Sequence, residues 1–161
     1  MVVSNTSPLL ALHRVGMLWL LPEVFDEQLV TTEAVAEEVE ISRALGYEAP
    51  ELGALSWLTI RPATVPKVLK LVPDLGPGEA AVLAIGMQEP TASTLLLDDG
   101  LARSLARLHS LKFTGTLGVL LRGKREGLVA EIRPLLLDLR RVDFHLSTPL
   151  LERTLRAAGE L

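Results

Sequence analysis

Cysteine is absent from the 161 residues. That excludes a disulfide framework, a thiolate metal site and a cysteine nucleophile, and makes a reducing cytoplasm the expected compartment. No apolar run nears the roughly 18 residues that a membrane span needs. Met1-Val2-Val3-Ser4-Asn5 carries no basic leader, so no signal peptide and no membrane association are expected. Aromatics are scarce, at 4%. Trp19 and Trp57 read as core or interface anchors rather than base-stacking platforms. His13, His109 and His145 lack metal-site spacing and read as structural or surface residues. Ser4, Ser7 and Ser110 have no partnered His-Asp arrangement, which argues against serine hydrolase chemistry. Gly76-Pro77-Gly78 is not followed by Lys-Ser or Lys-Thr, so it is no phosphate-binding loop.

Apolar residues make up 48% of the chain, enough for a substantial core. The length suits a single domain over 1–161. Lys and Arg number 16 against 20 Asp and Glu, a net charge of −4, so the chain is no general polyanion binder. The charge is uneven: residues 1–80 hold 5 basic and 11 acidic side chains, and residues 81–161 hold 11 and 9. A nucleic acid would therefore meet the C-terminal half, through Arg103, Arg107, Lys112, Arg122, Lys124 or Arg125. Solvated helix faces are the plainer reading of those arginines.

Short strand patterns fall at Val2–Ser4, about Gln28–Val30, Trp57–Ile60, Thr94–Leu97 and Lys112–Thr114, with helical patterns between them. Pro8 can open the first helix, because its missing N–H is harmless in a first turn. Gly16 ends it, and a second apolar turn stops at Pro22. Thr31 or Thr32 caps a helix to about Leu45. Gly76-Pro77-Gly78 feeds a helix from Glu79 to Met87. Asp98 or Asp99 caps the next, to about His109, and Thr114-Gly115-Thr116 leads into another, to about Lys124. Two more follow, at about Glu131–Arg141 and Pro149–Ala158, and are expected to pack on the same domain. The alternation predicts an α/β fold with a mostly parallel sheet covered on both faces. The segment from Gly46 to Pro77 reads as a mobile flank near the active face.

Within this frame Asn5, Glu38, Glu79, Asp98 and Asp99 each sit at the edge of an apolar element. Strand ends and following helices converge on one crevice in such folds. Two unit charges about 4 Å apart cost roughly 4 kcal/mol at an effective dielectric near 20. A hard divalent ion such as Mg²⁺ or Mn²⁺ removes that cost, and metal-assisted phosphodiester hydrolysis is the matching chemistry. Each residue has a plainer role as well. Asn5 suits a turn, Glu38 a solvated helix face, Glu79 a helix N-terminus, and one of Asp98 and Asp99 a helix cap. Asp98 is expected to face the crevice. Arg103, about one turn further on, can pair with an acid or meet a phosphate.

The run Val2-Val3-Ser4-Asn5-Thr6-Ser7-Pro8-Leu9-Leu10-Ala11-Leu12 resembles the opening of PIN-domain proteins, specifically the branch related to VapC-type toxins. Thr32-Glu33-Ala34-Val35-Ala36-Glu37-Glu38-Val39, Gly78-Glu79-Ala80-Ala81-Val82-Leu83-Ala84, Leu96-Leu97-Asp98-Asp99-Gly100-Leu101-Ala102-Arg103 and Thr114-Gly115-Thr116-Leu117-Gly118-Val119-Leu120 are similar to that branch in the same order. The resemblance covers about residues 2–158. It implies a three-layer αβα fold and Mg²⁺- or Mn²⁺-dependent ribonuclease activity, usually in a toxin restrained by a cognate antitoxin. The implied metal and catalytic set is Asn5, Glu38, Glu79 and Asp98 or Asp99. Thr6, Ser7, Thr114 and Thr116 would stand around it. Leu-rich C-terminal helices give the further expectation of a homodimer or an antitoxin contact. The general PIN pattern has Asp where this chain has Asn5, which offers one carbonyl oxygen and no charge. A weakened module that binds RNA or a regulatory partner without cleavage is therefore the alternative. A receiver-like phosphoryl-transfer domain is disfavoured, because no acceptor Asp with a later strand-end Lys is present.

Overall fold

In the computed structural model, which describes residues 1–161, the apolar run Val2–Ser4 forms β1, buried on both sides. The remaining strands are β2 (Leu29–Thr32), β3 (Leu58–Arg61), β4 (Thr94–Leu96) and β5 (Lys112–Thr114). All pairings are parallel, in the order β3-β2-β1-β4-β5. Nine helices flank the sheet: α1 (Thr6–Arg14), α2 (Leu20–Val24), α3 (Glu33–Ala44), α4 (Lys67–Lys70), α5 (Pro77–Gln88), α6 (Gly100–Leu108), α7 (Thr116–Arg125), α8 (Arg133–Arg141) and α9 (Thr148–Ala157). The result is the expected three-layer α/β fold. None of these helices is long and apolar enough to cross a membrane.

Buried parallel strands need apolar side chains on both faces, and β1 and β4 supply them. Val2, Val3, Leu95, Leu96 and Leu97 have no solvent exposure. Helix α5 lies against β1, β2 and β4 and is apolar around its whole circumference, from Ala80 to Gly86. Its start is set by sequence: Gly76 is the N-cap, Pro77 opens the first turn, and the Glu79 carboxylate accepts from the Gly76 N–H at 2.7 Å. Leu136, Leu139 and Leu155 of α8 and α9 belong to the same cluster of buried side chains as β1 and α5.

Some boundaries differ from the sequence expectation. Helix α1 starts at Thr6, not Pro8, with Asn5 as its N-cap residue, and Pro8 still falls within the first turn. Strand β2 runs on to Thr32, whose hydroxyl then accepts from Val35 N to cap α3. Trp19 is 46% exposed and is no core anchor. The segment between α3 and α5 holds a short 3₁₀ turn at Leu52–Ala54, β3 and α4. Strand β3 pairs at the sheet edge, two places from β1, and the ends of the segment approach the active face, where Glu48 O accepts from Arg14 Nε at 2.9 Å and the Gly76 N–H donates to Glu79.

The order matters for function. Chain progression runs from β1 outwards to β2 and β3, then returns to the other side of β1 for β4 and β5. The reversal opens a crevice beyond the carboxyl ends of β1 and β4, the usual ligand position in open α/β sheets. Register pairs Ser4 with Leu96, which brings Asn5 and Asp98 to that same edge.

Candidate active site

Asn5 follows β1 directly and is only 3% exposed. Its backbone N–H donates to Leu96 O at 3.1 Å, which ties it to β4. Its side-chain Oδ1 is the one buried side-chain nitrogen or oxygen without a hydrogen-bond partner. A buried amide oxygen left unpaired costs about 1–3 kcal/mol, so this oxygen is available to a ligand.

Glu38 enters from the middle of α3. Thr6 donates its hydroxyl to Glu38 Oε2, and the Gly78 N–H donates to Oε1 at 2.9 Å. The carboxylate thus rests on the N-terminus of α5, where the helix dipole favours negative charge. A Cβ at Gly78 would lie 2.5 Å from Glu38 Oε2, so glycine there makes room for the acid. Glu79, one residue on, turns back to Gly76. Burial pushes its carboxyl above the ordinary 4.5, and the negative Asp99 and Glu38 push the same way, against the Gly76 N–H.

Asp98 leaves β4 at the N-terminus of α7. Thr116 donates its N–H to Oδ1 at 2.8 Å and its hydroxyl to Oδ2 at 2.7 Å, and Ser7 donates to Oδ2 at 3.1 Å. Asp99 is the residue that caps α6, accepting from Ala102 N at 2.9 Å, and is exposed. Arg103 donates Nε to Leu97 O at 2.7 Å and stacks 5.5 Å from the Phe113 ring centroid.

Two adjoining cavities result. Asn5, Thr6, Ser7, Glu38 and Glu79 line one, of about 220 Å³. Asp98, Arg103 and Thr114 line the other, of about 410 Å³. Ser7 joins them through its bond to Asp98. Asp99 lies in neither wall, and Thr116 acts through Asp98. The sequence reading missed Arg14, Asp143 and Phe144 in the smaller cavity. Arg14 was findable, since Ser7, Leu10, Ala11 and Arg14 mark one helical face. Asp143 and Phe144 carry no local signal. They arrive on the loop after α8, where Asp143 takes a left-handed φ of 62° that Asp tolerates.

No three Asp, Glu or His side chains lie close enough together to hold a metal ion by themselves. Helix N-termini and hydroxyls take up part of the charge that sequence reasoning assigned to a cation. The donor set nonetheless fits one hard ion of the magnesium type, which keeps several waters and takes only one or two carboxylates from protein. The uncommitted Asn5 Oδ1 shares its cavity with Glu38 and Glu79. Burial first, and then the negative Asp99 and Glu38, hold the Glu79 carboxyl above its ordinary value, and a cation beside it would favour the charged form.

A family model described as a PIN domain matches residues 1–160. No curated protein and no solved structure matches the chain. With its parallel sheet, its crevice at the strand-order reversal and a match over almost its full length, the chain belongs to the PIN-domain family, whose members are generally nucleases that typically use divalent metals.

Proposed function

We propose that the protein is a divalent-metal-dependent ribonuclease that hydrolyses RNA phosphodiester bonds with water. The observation that carries this reading is the buried, unpartnered Oδ1 of Asn5, a residue that lines one cavity with Glu38 and Glu79, beside Asp98. Asn5, Glu38 and Glu79 would hold Mg²⁺ or Mn²⁺, with Asp98 at the margin. The bound ion supplies an activated water and offsets charge on the phosphate oxygens. The chain's own parts do the rest. Thr6 and the Gly78 N–H fix the Glu38 carboxylate. Thr116 and Ser7 fix Asp98. Arg103, held by Leu97 O, places a guanidinium for the phosphate. Control by an antitoxin and assembly as a homodimer belong to the same proposal.

The test is cleavage of a labelled RNA by the purified chain in Mn²⁺ and in EDTA. Glu38→Gln and Asp98→Asn should each lower the Mn²⁺-dependent rate about a hundredfold or more. Undiminished activity in both variants refutes the residue assignment. The second reading, a module that binds RNA or a partner without cutting, is favoured by Asn5 in place of Asp and by the absence of a three-acid cluster. A calorimetric titration separates the two: no saturable Mn²⁺ binding below millimolar supports the module.

A further inference from the structure

We infer that the cavity beside Asp98 is a subsite for the nucleotide adjoining the cleaved linkage, and that the α8–α9 hairpin forms the wall on which its base stacks. The inference rests on the ribonuclease reading. At about 410 Å³ the cavity lies within the range of roughly 300–1,000 Å³ typical of small-ligand sites. One side holds Asp98, Thr114 and Arg103. The other is supplied by the hairpin, with Phe144, His145 and Arg153. Phe144 also lines the cavity of Asn5, Glu38 and Glu79. A strand running from one cavity into the other therefore crosses its ring.

Charge selects the ligand class. Asp98 is the cavity's one carboxylate, and it already accepts three hydrogen bonds. Arg103 and Arg153 form no ion pair with any carboxylate. Guanidinium groups without a carboxylate partner suit phosphate oxygens, which they meet in a fixed fork. The Phe113 ring is covered by Arg103 and Arg107, whereas no cation lies over Phe144. Phe144 is thus the ring left for a base, flanked by Leu117 and Leu150.

The hairpin wall is set before a ligand arrives. Phe144 N donates to Leu139 O at 3.1 Å, and Arg140 Nε donates to Leu146 O at 2.9 Å. Leu146 is itself buried. A preformed wall of this kind loses little entropy on binding.

The test is fluorescence anisotropy with the whole chain in EDTA, so that binding is read without cleavage. The probes are fluorescein-labelled RNA tetranucleotides of A, C, G or U alone. Arg153→Glu, on the exposed side of α9, should weaken all four by roughly fivefold or more. Phe144→Leu, which keeps the packing and removes the ring, should weaken all four by roughly fivefold or more. Unchanged affinity in both variants overturns the subsite, and is the result expected if the groove receives a protein segment. Failure of the unmodified chain to bind any tetranucleotide overturns it too. Binding that depends on Phe144 and Arg153 in a chain that cuts no RNA in Mn²⁺ defeats the nuclease reading and leaves the subsite standing.

Discussion

Asn5 and Glu79 set opposite terms of the same balance. Glu79 is held where its charged form is disfavoured, by burial first and then by Asp99 and Glu38. Its folded pKa is raised, so its contribution to stability is fully present below the ordinary 4.5 and is lost as pH rises through the raised value. Glu79→Gln, which keeps an acceptor for the Gly76 N–H, should therefore raise the thermal midpoint in EDTA at pH 7. The gain should vanish below about pH 4.5. A midpoint unmoved or lowered at pH 7 contradicts the assigned cost of burying the charged form. Asn5→Asp adds a buried charge at the unpartnered Oδ1 position. It should lower the metal-free midpoint and tighten Mn²⁺ binding about tenfold, read by calorimetry. Equal Mn²⁺ affinity in both proteins would place the ion away from Asn5.

At the scale of elements, two helix N-termini hold the acids apart and in place. Helix α5 receives Glu38 through Gly78, and α7 receives Asp98 through Thr116. Each contact depends on a glycine at the helix start. A Cβ at Gly78 would sit 2.5 Å from Glu38 Oε2, and one at Gly115 would sit 2.6 Å from Asp98 Oδ1 and 2.9 Å from Leu97 O. Gly78→Ala improves intrinsic helix propensity by about 1 kcal/mol. It should nonetheless lower RNA cleavage about a hundredfold, because displacing a catalytic group by an ångström has effects of that order. The paired measurement is cleavage rate and thermal midpoint. Retained cleavage shows that Glu38 does not need its seat on α5.

At the scale of the whole molecule, α8 and α9 place the loop 142–147 across the two cavities, while their leucines join the central core. We propose that residues 1–161 unfold as one unit. Leu136 has no solvent exposure, and Leu136→Ala should cost about 2–5 kcal/mol. In urea the loss should be visible equally by far-UV circular dichroism and by the fluorescence of Trp19 and Trp57, which precede α2 and β3. Two separate transitions would make the C-terminal hairpin an independent unit.

Periodicity and turn residues determined the elements of this protein. The apolar β1 and β4, a cap at Thr31 or Thr32 and another at Asp98 or Asp99, and the Gly-Pro-Gly-Glu start of α5 are local signals, because helix starts and buried strands are local physics. The order of the acids along the chain was also legible, through the resemblance of five short motifs to PIN domains. Only the tertiary structure decided what each side chain touches. Asp98 and Asp99 are adjacent in sequence and equivalent as caps, yet parallel register and the arrival of α7 turn one into the crevice and leave the other on α6. Phe144, His145 and Arg153 reach the site from more than forty residues beyond Asp98. No periodicity encodes such a meeting, since it is set by how α8 and α9 pack and not by any property of the residues themselves.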